Sequence, residues 1–445
     1  MHIIPDLVRL ENKYPGVLVV IGVHSPKFPH EKNTASIRKA MLRYGVTHPV
    51  INDANLVLWK RFEVNFWPTF VLIDPDGRFY GKVNGEGLYK ALDLHIGKLV
   101  KAYKAKGRLK ETPLRFALEK EKIKGPLFFP GKVLADNLTD RLFIADSTNN
   151  RIVITDLQGN GIAVAGSGKE GKKDGSFAEA TFAEPQGMAW DGKLLYVADR
   201  KNHLIRSLDL KAKTVKTIAG VGYQERKIKS GPALLTGLNS PWDLLYMQNR
   251  LFIAMAGHHQ IWIMDMVSRR IGPFAGDGDE NLMDGPPSRA KFAQPSGLGT
   301  DGRELFIADS ETSAIRAVPL SGRGMVRTIV GAGLFEFGDT NGQGKQVRLQ
   351  HALAAIHHQG KLYVADTYNS KIKLIDPVQG TCTTFLGDAE GTFDEPSGLS
   401  IAAGKMYVAD TNAHRIRVID LESKDITTVE LKGVNPPTTQ AARSK

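Results

Sequence analysis

The chain has 445 residues, 42% hydrophobic and 24% charged, ordinary proportions for a soluble globular protein of two or more domains. The longest apolar run of its first part, Val17-Leu-Val-Val-Ile-Gly-Val23, is far too short for a membrane span, and residues 1–16 show no charged start followed by an apolar stretch. A single cysteine, Cys382, excludes an intrachain disulfide, a Cys-x-x-Cys pair and a cysteine zinc cluster within these residues. The net charge of +12 sits mostly at the front: residues 1–125 carry 22 Lys/Arg against 12 Asp/Glu, and residues 126–445 carry 37 against 35.

In chain order, Ile3–Leu10 reads as a helix with apolar residues at helical spacing. Val17–His24 reads as a buried strand, Ser36–Tyr44 as a second helix, His48-Pro-Val-Ile51 as a short strand and Leu56–Phe62 as a helical segment. Trp67-Pro68-Thr69 opens a strand that runs to Asp74, and the turn Pro75-Asp-Gly77 leads to a hairpin partner, Phe79–Val83. Gly87–Tyr103 is an amphipathic helix. This order, with Trp-Pro-Thr before a buried strand and an Asp-Gly hairpin, resembles the thioredoxin fold. The resemblance implies that Pro68 is cis, and that Trp67, Pro68 and Thr69 form the region that faces a redox dithiol in that family.

Lys98–Lys124 holds ten basic residues against three acidic ones. It reads as a solvated helix face and connector. It lacks both the Trp/Phe/Leu-rich face of a membrane-inserting helix and aromatics interleaved for base stacking; the contact its charge suits is an acidic surface.

From residue 142 a sentence recurs six times: Leu142-Phe-Ile-Ala-Asp146, Leu195-Tyr-Val-Ala-Asp199, Leu251-Phe-Ile-Ala-Met255, Leu305-Phe-Ile-Ala-Asp309, Leu362-Tyr-Val-Ala-Asp366 and Met406-Tyr-Val-Ala-Asp410. Short apolar runs between Gly/Pro turns at spacings of 44 to 57 residues mark propeller blades. Pro-x-Gly precedes the first strand of several blades (Pro185-Gln-Gly187, Pro295-Ser-Gly297, Pro396-Ser-Gly398), and blade three has Pro241-Trp-Asp243. The repeats resemble the NHL family over about 127–432, which implies a six-bladed β-propeller. Each blade is complete in sequence order; no strand exchange is evident, and Pro113–Leu118 is the one segment offered as a closing strand.

Asp146, Asp199, Asp309, Asp366 and Asp410 read as structural carboxylates that end strands and bond turn amides. His203, His259 and His414 occupy equivalent turns of different blades, so they do not converge on a metal, and Cys382 reads as a buried or edge thiol. No catalytic residue, metal or cofactor is expected.

Gly22-Val-His-Ser-Pro-Lys-Phe28, Arg43-Tyr-Gly-Val-Thr-His-Pro49, Asn52-Asp53 and the deviant blade three, Ile253-Ala-Met-Ala-Gly-His-His-Gln-Ile-Trp262, are similar to the group that joins a thioredoxin-like domain to an NHL propeller. The tail Glu430–Pro437 resembles its plant form. The organisation expected is a multidomain chain: a partial α/β thioredoxin-like domain over 1–106, a basic connector over 107–126, an all-β propeller over 127–432 and a tail over 433–445. In that group the dithiol lies immediately before the Met-His that opens the first helix, which here is Met1-His2. Two readings stay open: a piece of a longer thiol-disulfide protein, or a natural short form without redox activity. Either way the expected role is a protein-interaction scaffold with protein partners on the propeller face. An RNA-binding propeller is the remote alternative, disfavoured by the near-neutral charge after residue 125. No segment fixes a compartment; the default is the cytoplasm, or the thylakoid lumen of the chloroplast for a photosynthetic eukaryote.

Overall fold

The computed structural model describes residues 3–112, 116 and 125–437. The chain divides into two compact units, 1–121 and 122–445. Most of the basic connector, the segment offered as a closing strand (Phe116 apart), the Met1-His2 pair and the tail beyond residue 437 lie outside the described residues.

The first unit is α/β. Helix α1 (Ile4–Lys13) has Pro5 in its first turn, where its missing N–H would have no partner within the helix. Strand β1 (Gly22–His24) leads to α2 (Thr34–Tyr44), which begins at an Asn33 side chain bonded to Ala35 N–H and ends on a left-handed Gly45. Strand β2 (Val50–Asn52) pairs in parallel with β1. After α3 (Val57–Arg61), strands β3 (Thr69–Ile73) and β4 (Phe79–Asn84) form an antiparallel hairpin, and α4 (Tyr89–Ala105) follows. The core lies between the helices and one face of the hairpin: Leu10, Leu92 and Ile96 are buried against Leu18, Phe70, Leu72 and Val83.

One expectation fails here. Val17–His24 is not a continuous buried strand. The N–H groups of Val17 and Leu18 bond Tyr14 O in the turn that ends α1, so pairing starts only at Gly22. Val19, Ile21, Val23 and Ile51 are about half exposed, at 44–54%.

The second unit is the expected six-bladed propeller. Blade 2 shows the plan: four antiparallel strands, Pro185–Trp190, Leu194–Asp199, Leu204–Asp209 and Thr214–Ala219, in sequence order. The recurring Leu-Tyr-Val-Ala-Asp sentence is the second strand. Both its faces are covered, which is why it reads as a near-continuous apolar run. The first strands of the blades are Lys132–Asp136, Pro185–Trp190, Pro241–Met247, Pro295–Thr300, Ala354–His358 and Pro396–Ala402. Successive first strands pack side by side, and that of blade 6 packs on that of blade 1, so they line the axis. In blades 2, 3 and 5 a two-residue piece of the entering loop adds to the outer edge of its own blade.

Every blade is contiguous in sequence, and the ring closes without strand exchange among the described residues. Ser397 and Thr411 hydroxyls donate to Gly131 O (2.6 Å) and Pro130 O (2.9 Å). The backbone of Lys432 bonds Gly161, the first residue of blade 1's outer strand, and Gly159 in the turn before it. Arg151 donates to Pro126 O and Asn435 O, both at 2.8 Å, so one guanidinium holds both ends of the propeller chain.

Candidate functional site

The peptide bond between Trp67 and Pro68 is cis. Thr69 Oγ1 donates to Phe66 O (2.7 Å), and Gly85 N–H donates to Pro68 O (2.9 Å), which fixes this corner at the start of β3. The Trp67 indole N–H donates to Ser25 O (2.9 Å), and its ring lies 4.4 Å from that of Trp59. Trp59 sits in α3, whose first turn is held by the buried Asp53: its carboxylate accepts Leu58 N–H (3.0 Å), Trp59 N–H (2.9 Å) and the Ser25 hydroxyl (3.0 Å). Burial works to raise the Asp53 pKa, but these bonds outweigh it and hold the carboxyl below its ordinary value. Phe66 and Trp67 stay 62% and 49% exposed. The structure thus unites three expected residues with Ser25, Asp53 and Trp59, whose parts in the corner the sequence reading did not identify. An Asp five residues before a helical Leu-Trp pair was the available signal.

In the propeller, Asp146, Asp199, Asp309, Asp366 and Asp410 are completely buried. Each accepts a backbone N–H from the loop entering its own blade: Phe128 (2.8 Å), Ala183 (2.8 Å), Ala293 (2.7 Å), Gln350 (2.6 Å) and Asp394 (2.6 Å). The backbone donor is thus a residue well before the strand, not an N–H of the turn after it. In blades 1, 2, 4 and 5 a side chain three residues on (Asn149, Asn202, Thr312, Asn369) donates to the same carboxylate. In blades 2 and 4 an arginine bridges outward: Arg206 joins Asp199 to Asp174, and Arg316 joins Asp309 to Asp284. Burial pushes Asp199 and Asp309 up to about 6, with their arginines restraining the rise. Asp366, with no cation bonded to it, is pushed up to about 7.

Blade 3 replaces the charge pair with an apolar one. Met255 stands where the other blades have Asp, and its sulfur accepts Asn239 N–H at 3.4 Å. Trp262, fully buried, takes the place of the arginine, and its N–H is satisfied by Gln260 Oε1 (2.9 Å).

The three equivalent histidines are spread around the ring in left-handed turns with φ of 53–56°. Each Nδ1 accepts a backbone N–H of the next blade: His203 from Ser240 (2.9 Å), His259 from Gln294 (3.3 Å), His414 from Phe129 (3.1 Å). Asn150, Ser313 and Ser370 do the same with Glu184, His351 and Glu395. Among the described residues, no group of three or more His, Cys, Asp or Glu side chains could hold a metal ion. Cys382 is buried in blade 5, and burial pushes its thiol up to about 12.

A thioredoxin-like family model matches residues 1–79. Over its whole length the chain is 43% identical to Protein SUPPRESSOR OF QUENCHING 1, chloroplastic, of Arabidopsis thaliana, in an alignment of 480 residues that covers 45% of that protein. It is 40% identical to NHL repeat-containing protein 2 of Homo sapiens over 447 residues, covering 90% of this chain and 61% of that protein. Thiol-disulfide oxidoreductase YkuV of Bacillus subtilis is 23% identical over 97 residues, 22% of this chain and 65% of that protein. The chain spans about half the length of the first two relatives.

Proposed function

As a relative of the suppressor-of-quenching and NHL repeat-containing proteins, with a thioredoxin-like unit and a six-bladed propeller, this chain acts, we propose, as an interaction scaffold of thiol-disulfide oxidoreductase type. It has no redox dithiol of its own within these residues. The observation that carries this reading is a proline corner present in a sequence with no usable thiol. The thioredoxin-like unit keeps Trp67, cis-Pro68 and Thr69, yet the one cysteine is Cys382, buried in blade 5 with its thiol held protonated up to about 12. Thiol chemistry requires an accessible thiolate, which this environment suppresses.

The propeller supplies binding surface. Its five aspartates are sealed inside the blades as fasteners, and protein partners dock on a propeller face. The connector Lys98–Lys124 carries the basic charge that an acidic surface would meet. Charge balance after residue 125 weighs against nucleic acid. Among the described residues no helix is long and apolar enough to cross a membrane. The printed name of the Arabidopsis relative, chloroplastic, supports the chloroplast as one compartment, within which we propose the thylakoid lumen; the cytoplasm is the alternative.

The test is the transcript sequence upstream of Met1. An in-frame Cys-x-x-Cys would support the oxidoreductase-type reading. A stop codon with no such motif would contradict it and leave a redox-inactive binding module.

A further inference from the structure

At one level of the propeller axis, each first strand places a single residue opposite the alanine of its second strand. Lys132 faces Ala145, Asp243 faces Ala254, Gly297 faces Ala308, Ala354 faces Ala365 and Gly398 faces Ala409. Gly187 holds the same place in blade 2, two residues after Pro185. Glycine therefore alternates with a larger residue around the ring. The cause is steric. A Cβ on Gly187 would stand 2.4 Å from Asp243 Cα, one on Gly297 2.7 Å from Ala354 Cα, and one on Gly398 2.7 Å from Lys132 Cα. Each odd-numbered blade lies with its backbone on the glycine of the blade before it. Only blades 1, 3 and 5 project a side chain at this level, and two of those three are charged.

The charges meet. Lys132 Nζ donates to Leu353 O (2.6 Å) and Ser296 O (2.9 Å) and reaches Asp243 Oδ2 at 3.4 Å. A side chain from blade 1 that touches the first strands of blades 3 and 4 and the residue leading into that of blade 5 crosses the centre of the ring. All three ammonium protons are engaged. Asp243 Oδ2 also accepts Leu298 N–H (2.9 Å) from blade 4, and Oδ1 accepts Leu244 N–H (3.0 Å). The two side chains are only 5% and 13% exposed, so each is the counter-charge that the other requires.

We propose that Lys132 and Asp243 form an axial brace that locks blade 1 to blades 3, 4 and 5 and makes the ring unfold as one unit. In a ring closed without strand exchange, the brace ties the first blade to those opposite it.

The full chain with Lys132→Met, Asp243→Asn and both substitutions tests this, by denaturant unfolding and by amide hydrogen exchange of Val133–Ala135. Lys132→Met leaves a buried carboxylate without its partner, and the brace predicts a rise of roughly 100-fold or more in the unfolding constant. The double variant is predicted to fall short of the product of the single effects by about 10-fold or more. Blade 1 amides in Lys132→Met are predicted to exchange ahead of those in blades 4 and 5. If Lys132→Met does not fold, recovery of folding in the double variant supports the brace. Independent effects that multiply, a double variant that fails to fold where Lys132→Met also fails, or unchanged blade 1 exchange would overturn it.

Discussion

Seven residues after the strand-ending aspartate, blades 2 and 4 carry Arg206 and Arg316, and blade 5 carries Lys373. The planar guanidinium forks to two carboxylates at once, whereas a single ammonium is a point charge. Lys373 Nζ bonds Asp339 (2.5 Å), Asn341 (3.1 Å) and Thr384 (3.0 Å), and leaves Asp366 without a bonded cation. The folded-state pKa of Asp366, about 7, therefore lies above its ordinary 3.8, and the folded chain holds that proton more tightly than the unfolded chain. Its contribution to stability is full below the unfolded pKa, near pH 4, and is lost as pH rises through 7. The loss is at most about 4 kcal/mol, at about 1.4 kcal/mol per pKa unit. Lys373→Arg restores the fork, and we expect it to gain about 1–2 kcal/mol over the parent at pH 8 and little at pH 5. Urea titrations at the two pH values check this; an unchanged difference between them would rule the fork out. The sequence offered the aspartates as strand-ending structural carboxylates bonded to the turn; their complete burial came only with the structure. The missing cation at Asp366 was not, because Lys and Arg look alike in a charge pattern and differ only in what their heads can bridge.

At the scale of the element, the turn after each second strand links neighbouring blades through one side chain. His203 sits at φ 54° and its ring accepts the N–H of the buried Ser240. Asn150 serves the same position in blade 1, so His203→Asn is expected to stay within about 0.5 kcal/mol of the parent. His203→Val combines a β-branched residue at positive φ with an orphaned buried amide, and a loss of about 2–4 kcal/mol is expected. Equal denaturation midpoints for the two variants would refute the link. The sequence displayed the equivalence of His203, His259 and His414, but not their partners, which lie 35 or more residues away along the chain. The amide donors to the aspartates were hidden for the same reason, although in blades 2, 4, 5 and 6 the offset is a constant 16 residues. In the first unit the limit was different. An apolar run marks what avoids water, whereas a strand also needs a pairing edge; Val17 and Leu18 spend their N–H groups on the end of α1.

At the scale of the molecule, six repeats and one Trp-Pro-Thr made both units recognisable before any coordinates. Closure of the ring was not recognisable. Lys132 and Asp243 are 111 residues apart and become partners only when the blades are superimposed in register. Arg151, which holds Pro126 and Asn435, depends likewise on ends that meet only in the closed ring. The account proposed from these features is a closed ring, braced across its axis and offering a binding surface, in one chain with a thioredoxin-like unit that carries the proline corner and, over residues 1–121, no cysteine. Turnover of a disulfide substrate by the 445-residue chain, measured beside Cys382→Ser, tests this most directly. The account predicts that both proteins match the protein-free background; turnover by the parent chain that Cys382→Ser abolishes would contradict it.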